Sequence, residues 1–256
     1  MTRTILLTLL LLGLGLALAS PVAADLARNA EVFRQVVLWG LPGTALLLAF
    51  LFQPSIARTV SPRPIVLAGC AVAFLIDQSF LGVGYVTKWA TFSFGAQELA
   101  GGRLMLHALW ALPACLVLGI WGWERALREA VYAGWRLRLH WAGAAALSIL
   151  AGAALGLPAI LPGGEVRDAT FVGASLVALL ARELSLVRLF ARGGLLAAGL
   201  YRALFSFTEA FLINDWYSVY FPSYDYVAGA PAFYVARAGT AVVAAALVFF
   251  FTRGGE

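Results

Sequence analysis

Seven long apolar runs limit what this chain can fold into more than any other feature. Most are close to, or above, the roughly 20 helical residues that cross a hydrocarbon core of about 30 Å. In lipid, only helices and closed barrels satisfy the backbone polar groups, and runs this continuously apolar exclude barrel strands. We therefore expect an all-α, polytopic transmembrane helix bundle, with helices near 36–54, 64–87, 104–122, 139–158, 169–189, 193–213 and 232–252.

The composition agrees with a membrane location. Hydrophobic residues make up 62% of the chain and charged residues only 12%, against about 25% charged residues in soluble domains. Of the 18 basic residues, all but Lys88 are arginine. In a membrane protein such an excess marks cytoplasmic loops rather than a nucleic-acid partner. The expected partner is therefore the lipid bilayer, and no nucleic acid is predicted.

The first 25 residues, MTRTILLTLLLLGLGLALASPVAAD, have the pattern of a secretory signal peptide. Arg3 gives a short basic start, an apolar core covers 5–18, and small residues precede a cleavage site after Ala24. The alternative is an uncleaved first transmembrane helix, which would make eight helices in total. The expected domains are 1–24, the signal peptide or first helix, and 25–256, a single transmembrane helical domain.

Basic residues predict the orientation in the membrane. With the mature N-terminus outside, the cytoplasmic segments carry nine basic residues and the external segments five, as the positive-inside rule requires. We expect a multi-pass protein of a bacterial-type cytoplasmic (inner) membrane, with its N-terminus outside and its C-terminus in the cytoplasm. The nine are Arg58, Arg63, Arg125, Arg128, Arg136, Arg138, Arg188, Arg192 and Arg253, and the five are Arg28, Arg34, Lys88, Arg103 and Arg167.

Charged residues within the apolar runs predict where a polar interior lies. A lone charge at the bilayer centre costs at least about 2.5 to 3.5 kcal/mol, so such groups pair, line water or face the protein interior. Asp77 is expected to lie near His107 or to be protonated. The candidates for a ligand or proton site are Asp77, His107, Arg182, Glu183, Arg202, Glu209 and Arg237. Ion pairs that only fix helix register are the structural alternative.

Two ion pairs are predicted among these candidates. Arg202 and Glu209 are seven positions apart and share one face of a helix. We expect Arg202 to pair with Glu183 in the inner half of the membrane, and Glu209 to pair with Arg237 in the outer half. The polar interior is therefore expected to be biased toward the outside.

Small residues predict where helices approach each other closely. Gly152 and Gly156 have the GxxxG spacing among alanines, and the run near 232–252 is also rich in alanine. Such residues let helix backbones come close in a membrane. We expect the fourth and seventh apolar runs to lie centrally in the bundle.

An aromatic external loop follows the sixth run, with the sequence NDWYSVYFPSYDYVAGAPAFY. Indole and phenol rings favour the headgroup layer, so one interpretation is an interfacial aromatic belt. The other is a lid over an outward-opening cavity, for which Trp216, Tyr217 and Tyr220 are the candidates.

The sequence predicts no cofactor and no metal ion. Its two histidines, His107 and His140, lie near opposite ends of their runs and do not suit haem, di-iron or zinc ligation. No phosphate-binding loop, nucleophile elbow or dinucleotide fingerprint is present. The lone lysine, Lys88, lies at the end of the second run and does not suit a retinal Schiff base on the last helix.

Three function classes remain. The preferred hypothesis is transport or binding of a small or amphipathic ligand in an outward-biased intramembrane cavity. The second is a membrane-embedded enzyme that acts on a lipid-like substrate by carboxylate acid/base chemistry. The third is a structural or assembly subunit of a larger membrane complex, which would dock a membrane-protein partner.

Overall fold

A computed structural model describes residues 2–52, 63–87, 102–164, 168–208 and 230–253. Over these residues the protein is 93% helical and has no strand, which confirms the all-α prediction. The helices are α1 (Thr2–Leu18), α2 (Ala24–Arg28), α3 (Ala30–Gln35), α4 (Leu41–Phe52, preceded by the π-wound segment Val36–Gly40), α5 (Pro64–Thr87), α6 (Gly102–Val117), α7 (Leu118–Tyr132), α8 (Ala133–Arg136), α9 (Trp141–Gly156), α10 (Ala169–Phe207) and α11 (Ala230–Phe251), and short 3-10 turns lie between some of them.

Fewer helices reach the length and apolar composition of a membrane span than the seven predicted. Within the described ranges there are three, or four if α1 and the segment Pro21–Arg28, bent by 61°, form one span. The three are Trp141–Ala159, Ala169–Phe207 and Pro231–Phe251, and two shorter apolar helices are Val36–Phe52 and Pro64–Phe80. The apolar helices are therefore compatible with a membrane protein, and the fifth and sixth predicted runs belong to one element, Ala169–Phe207.

The long element α10 is two helical arms that fold back on each other. Gly194 interrupts it with a φ of 69° and a ψ of −169°, a conformation that glycine adopts without a Cβ penalty. Along a straight helix, the 19 positions from Glu183 to Arg202 would span about 28 Å. Because these two side chains are hydrogen-bonded, the chain must reverse sharply at Gly194. The fifth and sixth predicted runs are therefore an antiparallel pair within one element.

The helix α7 corrects one assignment made from the sequence. Its charged residues were expected in a cytoplasmic loop, but Glu124, Arg125 and Arg128 are each 0% exposed and Glu129 is 2% exposed. The helix has π winding, with the Ala133 N–H donating to the Arg128 carbonyl five positions earlier. The segment is therefore a buried helix rather than a loop, and the side of the membrane on which it lies stays a prediction.

Small residues bring α9 close to helices on two sides. Gly15 of α1 lies against the backbone of Ala154, and Gly156 lies against the side chain of Leu179 on α10. The C-terminal helix α11 packs along both α5 and α10. These contacts agree with the close helix approach predicted from the glycines and alanines, and they enclose the charged residues described below.

Candidate functional site

Two arginines and two glutamates form a closed ring of ion pairs inside the bundle. Glu124 and Arg128 come from α7, and Glu183 and Arg202 come from the two arms of α10. Glu124 accepts from Arg128 Nε at 3.1 Å and from Arg202 Nε at 2.9 Å. Glu183 accepts from Arg202 Nη2 at 2.5 Å and from Arg128 Nη2. The predicted pair of Glu183 and Arg202 is confirmed, and it belongs to this larger network, the Arg–Glu ring.

The ring neutralises its own charges. Glu124, Arg128 and Glu183 have fully buried side chains, and that of Arg202 is 17% exposed. Each carboxylate meets both arginines, so the two negative and two positive charges balance. Removing one partner of a buried pair typically costs about 3 to 5 kcal/mol, because it leaves an uncompensated charge. The ring therefore fixes the relative positions of α7 and both arms of α10.

The helix α9 completes the surroundings of the ring. Arg128 Nη1 donates to Ser148 Oγ at 2.5 Å, and Ser148 Oγ donates to the Leu127 carbonyl at 2.7 Å. One helical turn further along α9, Gly152 lies against the Glu183 carboxylate. A side chain at this position would occupy the space of the carboxylate, so Gly152 is the residue that admits Glu183 to the ring.

The carboxylate of Asp77, set in the apolar stretch AFLIDQSFLGVGY, is neutralised by Arg182. Arg182 donates to it through Nε at 2.8 Å and Nη2 at 3.2 Å, the two-pronged geometry that favours arginine with a carboxylate. The guanidinium also lies 4.3 Å from the centre of the Phe205 ring. The expectation that Asp77 is protonated for want of a cation is therefore corrected, because Arg182 of α10 supplies the compensating charge, and the proximity of His107 stays a prediction.

A cavity of about 150 Å³ lies beside the ring. Its polar wall consists of three arginines and two serines, and the remaining lining is predominantly apolar. Among the described residues no carboxylate lines it, and those of Asp77, Glu124 and Glu183 are bound to arginines. The polar lining residues are Arg182, Arg202, Arg237, Ser175 and Ser206, and the others are Val37, Leu38, Trp123, Gly152, Leu155, Gly156, Ala159, Ile160, Leu179, Leu186 and Phe205.

Arg237 of α11 is the third arginine of the cavity wall and is 3% exposed. Its Nη1 donates to Ser175 Oγ at 3.3 Å, and its guanidinium lies 5.8 Å from the centre of the Phe80 ring. Its predicted partner, Glu209, lies outside the described residues, so that pair stays a prediction.

Four other candidates fall outside what the structure describes. They are the side chain of His107 and the proposed lid residues Trp216, Tyr217 and Tyr220. The structure therefore brings together five of the predicted site residues: Asp77, Arg182, Glu183, Arg202 and Arg237.

Sequence reasoning missed Glu124 and Arg128, the half of the ring that α7 supplies. A signal was present, because Glu124 and Arg128 are four positions apart and so are Arg125 and Glu129. Acid–base pairs at this spacing meet on one helix face. The second pair has a longer separation, 3.9 Å, and Arg125 lies 4.1 Å from the centre of the Phe50 ring. Two such pairs in one short segment were a clue that these charges can be buried together.

Comparison of the chain with protein-family models, with curated proteins and with solved structures gives no significant match. The case for a function therefore depends on the geometry of the Arg–Glu ring and of the arginine-lined cavity.

Proposed function

We propose that this protein is a multi-pass membrane protein that binds a small or amphipathic ligand in the arginine-lined cavity and transports it. The observation that carries the proposal is the position of three arginines along one cavity whose other walls are apolar. Ionisable residues inside membrane segments are expensive and mark ligand or ion pathways by default. In this proposal the chain crosses an inner membrane seven times after a signal peptide, or eight times if that segment is retained.

Apolar side chains on the outside of the bundle support a lipid environment. Leu47 is 65% exposed, Leu75 66% and Phe250 67%. These residues belong to three different helices, so apolar surface is spread around the bundle and is suited to contact with acyl chains.

The Arg–Glu ring alone would favour a structural or assembly subunit, because its charges satisfy one another. The cavity favours ligand binding, because three arginines line it together with apolar side chains such as Leu155, Leu179 and Leu186. The ring thus supports the fold, and the adjacent cavity offers the site. An acid/base enzyme is less favoured, since Asp77 and Glu183 are both bound to arginines, which opposes a role as a free proton acceptor.

A cavity-filling variant tests the proposal. Ala159 lines the cavity, and Ala159→Phe is expected to displace a co-purifying ligand that native mass spectrometry detects on the wild-type protein. Ala146→Phe adds the same ring at an exposed position of α9 and is expected to keep the ligand. Wild-type protein without any bound mass, or equal ligand retention in both variants, would contradict ligand binding in this cavity.

Transport needs a separate measurement. Once the ligand has been identified, proteoliposomes with the wild-type protein are expected to accumulate or release it, and those with Ala159→Phe are not. Binding without any movement across the membrane would limit the function to binding.

A further inference from the structure

We infer that the cavity takes an anionic group, such as a phosphate or carboxylate, attached to an apolar tail. This inference rests on the proposed function and specifies the chemistry of its ligand. Arg237, Arg202 and Arg182 would hold the anion, and the apolar walls would contact the tail.

The polar wall of the cavity consists mainly of hydrogen-bond donors. Arginine carries five N–H donors and no acceptor, and it stays charged. The two serines add hydroxyl groups, and among the described residues no carboxylate reaches the lining. A ligand suited to such a wall must bring acceptors, and a negatively charged group brings the strongest ones.

Two of the arginines are already held in place before a ligand arrives. Arg182 makes two bonds to Asp77, and Arg202 uses Nε and Nη2 in the ring while it lines the cavity. The carboxylates behind them compensate their charges, so the guanidinium groups remain buried without the ligand. An anion would therefore meet guanidinium groups already fixed in position and would bind N–H groups other than those that hold the carboxylates, which lowers the entropy cost of binding.

The apolar lining indicates an amphipathic anion. Val37, Leu38 and Trp123 lie on other helices than Leu179 and Leu186, and all five line the same space as the arginines. The volume of about 150 Å³ is below the roughly 300 to 1,000 Å³ of pockets that enclose a drug-sized ligand. The cavity would therefore enclose a headgroup and the first methylenes, with any longer tail reaching out between the helices.

Thermal unfolding in dodecyl maltoside, with four added probes, tests the charge of the ligand. A ligand that binds only the folded state raises the midpoint temperature as its concentration rises. Monododecyl phosphate is expected to raise the midpoint, whereas dodecanol and dodecyltrimethylammonium are not. Inorganic phosphate distinguishes the source of the anion: a shift with phosphate alone indicates a free anion, and a shift only with monododecyl phosphate indicates a lipid headgroup. Both results support an anionic ligand, and only the second supports the apolar tail.

Variants connect the shift to the cavity. Each variant is compared with the wild type using whichever phosphate probe raises the midpoint of the wild type. Arg237→Gln is expected to weaken binding of that probe at least about tenfold, the effect of losing one charge-assisted hydrogen bond. Arg136→Gln removes an exposed arginine and is the control, which should bind as the wild type does. Where Arg237→Gln does not fold, Arg237→Lys keeps the charge without the planar fork and is expected to show a smaller loss.

Several results would overturn the inference. They are an equal shift with dodecanol, a larger shift with the cationic probe, no shift with either phosphate probe, or unchanged binding in the Arg237 variant that folds. The proposed function would survive them as long as Ala159→Phe still removes a bound mass. It fails only when that variant and the wild type carry the same masses.

Discussion

Gly152 of α9 lies directly against the carboxylate of Glu183, and a Cβ at this position would overlap it. The missing side chain leaves room for the carboxylate to accept from Arg128 and Arg202 at once. A glycine that the sequence suggested for close helix packing thus also shapes the electrostatic centre of the bundle.

Gly152→Ala is therefore expected to destabilise the protein. The added methyl group must push the carboxylate from its arginines or separate the helices, and overpacking of this kind costs about 1 to 3 kcal/mol. The measurement is the free energy of unfolding in detergent. Gly173→Ala is the control, because a Cβ there meets nothing within 4 Å, and it should be neutral or slightly stabilising. Equal effects of the two changes would contradict the close contact with Glu183.

The Arg–Glu ring predicts that stability follows charge balance. Glu124→Gln leaves two arginines facing Glu183 alone and is expected to cost about 3 to 5 kcal/mol. Glu124→Gln with Arg202→Gln keeps one neutral pair and should recover part of the loss, whereas Glu124→Gln with Glu183→Gln leaves both arginines uncompensated and should not. The unfolding free energies of the two double variants make the comparison. If they lose the same amount, the four residues do not act as a ring.

Glu209 and Arg237 remain a predicted pair. Glu209→Gln and Arg237→Gln are each expected to lower the thermal midpoint, and the double variant should regain part of the loss because no unpaired charge remains. A transport measurement on the double variant then distinguishes a structural pair from a ligand site. If the pair is structural, the rescued double variant keeps transport. If the two residues bind the ligand, stability returns but transport stays lost. Purely additive losses would show that the two residues are not partners.

The all-helical fold was predictable because long apolar runs permit little else in lipid, and Arg202 was paired with Glu183 because both were expected in the inner half of neighbouring runs. The rest depended on tertiary contacts. Asp77 was placed near His107 by depth alone, whereas the fold brings it to Arg182, 105 positions away. Depth along a helix does not fix which helices are neighbours.

The burial of α7 escaped prediction for a related reason. The segment with Glu124 and Arg128 has a low hydropathy, which is typical of a loop. Hydropathy counts each charge separately and does not show whether the charges form ion pairs in the folded protein. Glu124 pairs with Arg128 within the segment, and Arg202 and Glu183 from a distant part of the chain complete the ring. Predicting helix number from apolar length therefore fails where ion pairs replace apolar contacts.

The orientation of the chain is a prediction that fusion reporters test. A reporter after Arg253 is expected in the cytoplasm and one at Ser223 outside, because the basic residues assigned to the cytoplasmic side outnumber those assigned to the outside by nine to five. Finding both reporters on the same side would mean an even number of crossings between them, and exchanged positions would invert the bundle.

The N-terminal segment gives the last prediction, since the signal-peptide pattern predicts a mature chain that starts at Asp25. Intact mass should then match that start, and Ala24→Leu should leave a heavier precursor. The alternative is that the segment is retained as a helix. In the structure α1 is packed into the bundle, since Leu7 and Leu11 are 1% and 0% exposed and Gly15 lies against the α9 backbone, so in that case changes at Gly15 would affect stability.

If cleavage occurs, Gly15→Leu should leave the mature protein's thermal midpoint unchanged, because the residue is absent from it. Gly13→Leu is the control, since a Cβ at Gly13 meets nothing within 4 Å. A mass that begins at Met1, together with a lower midpoint for Gly15→Leu but not for Gly13→Leu, would contradict cleavage. The α1 contact with α9 would then be part of the mature folded protein, with α1 retained as a helix of the bundle.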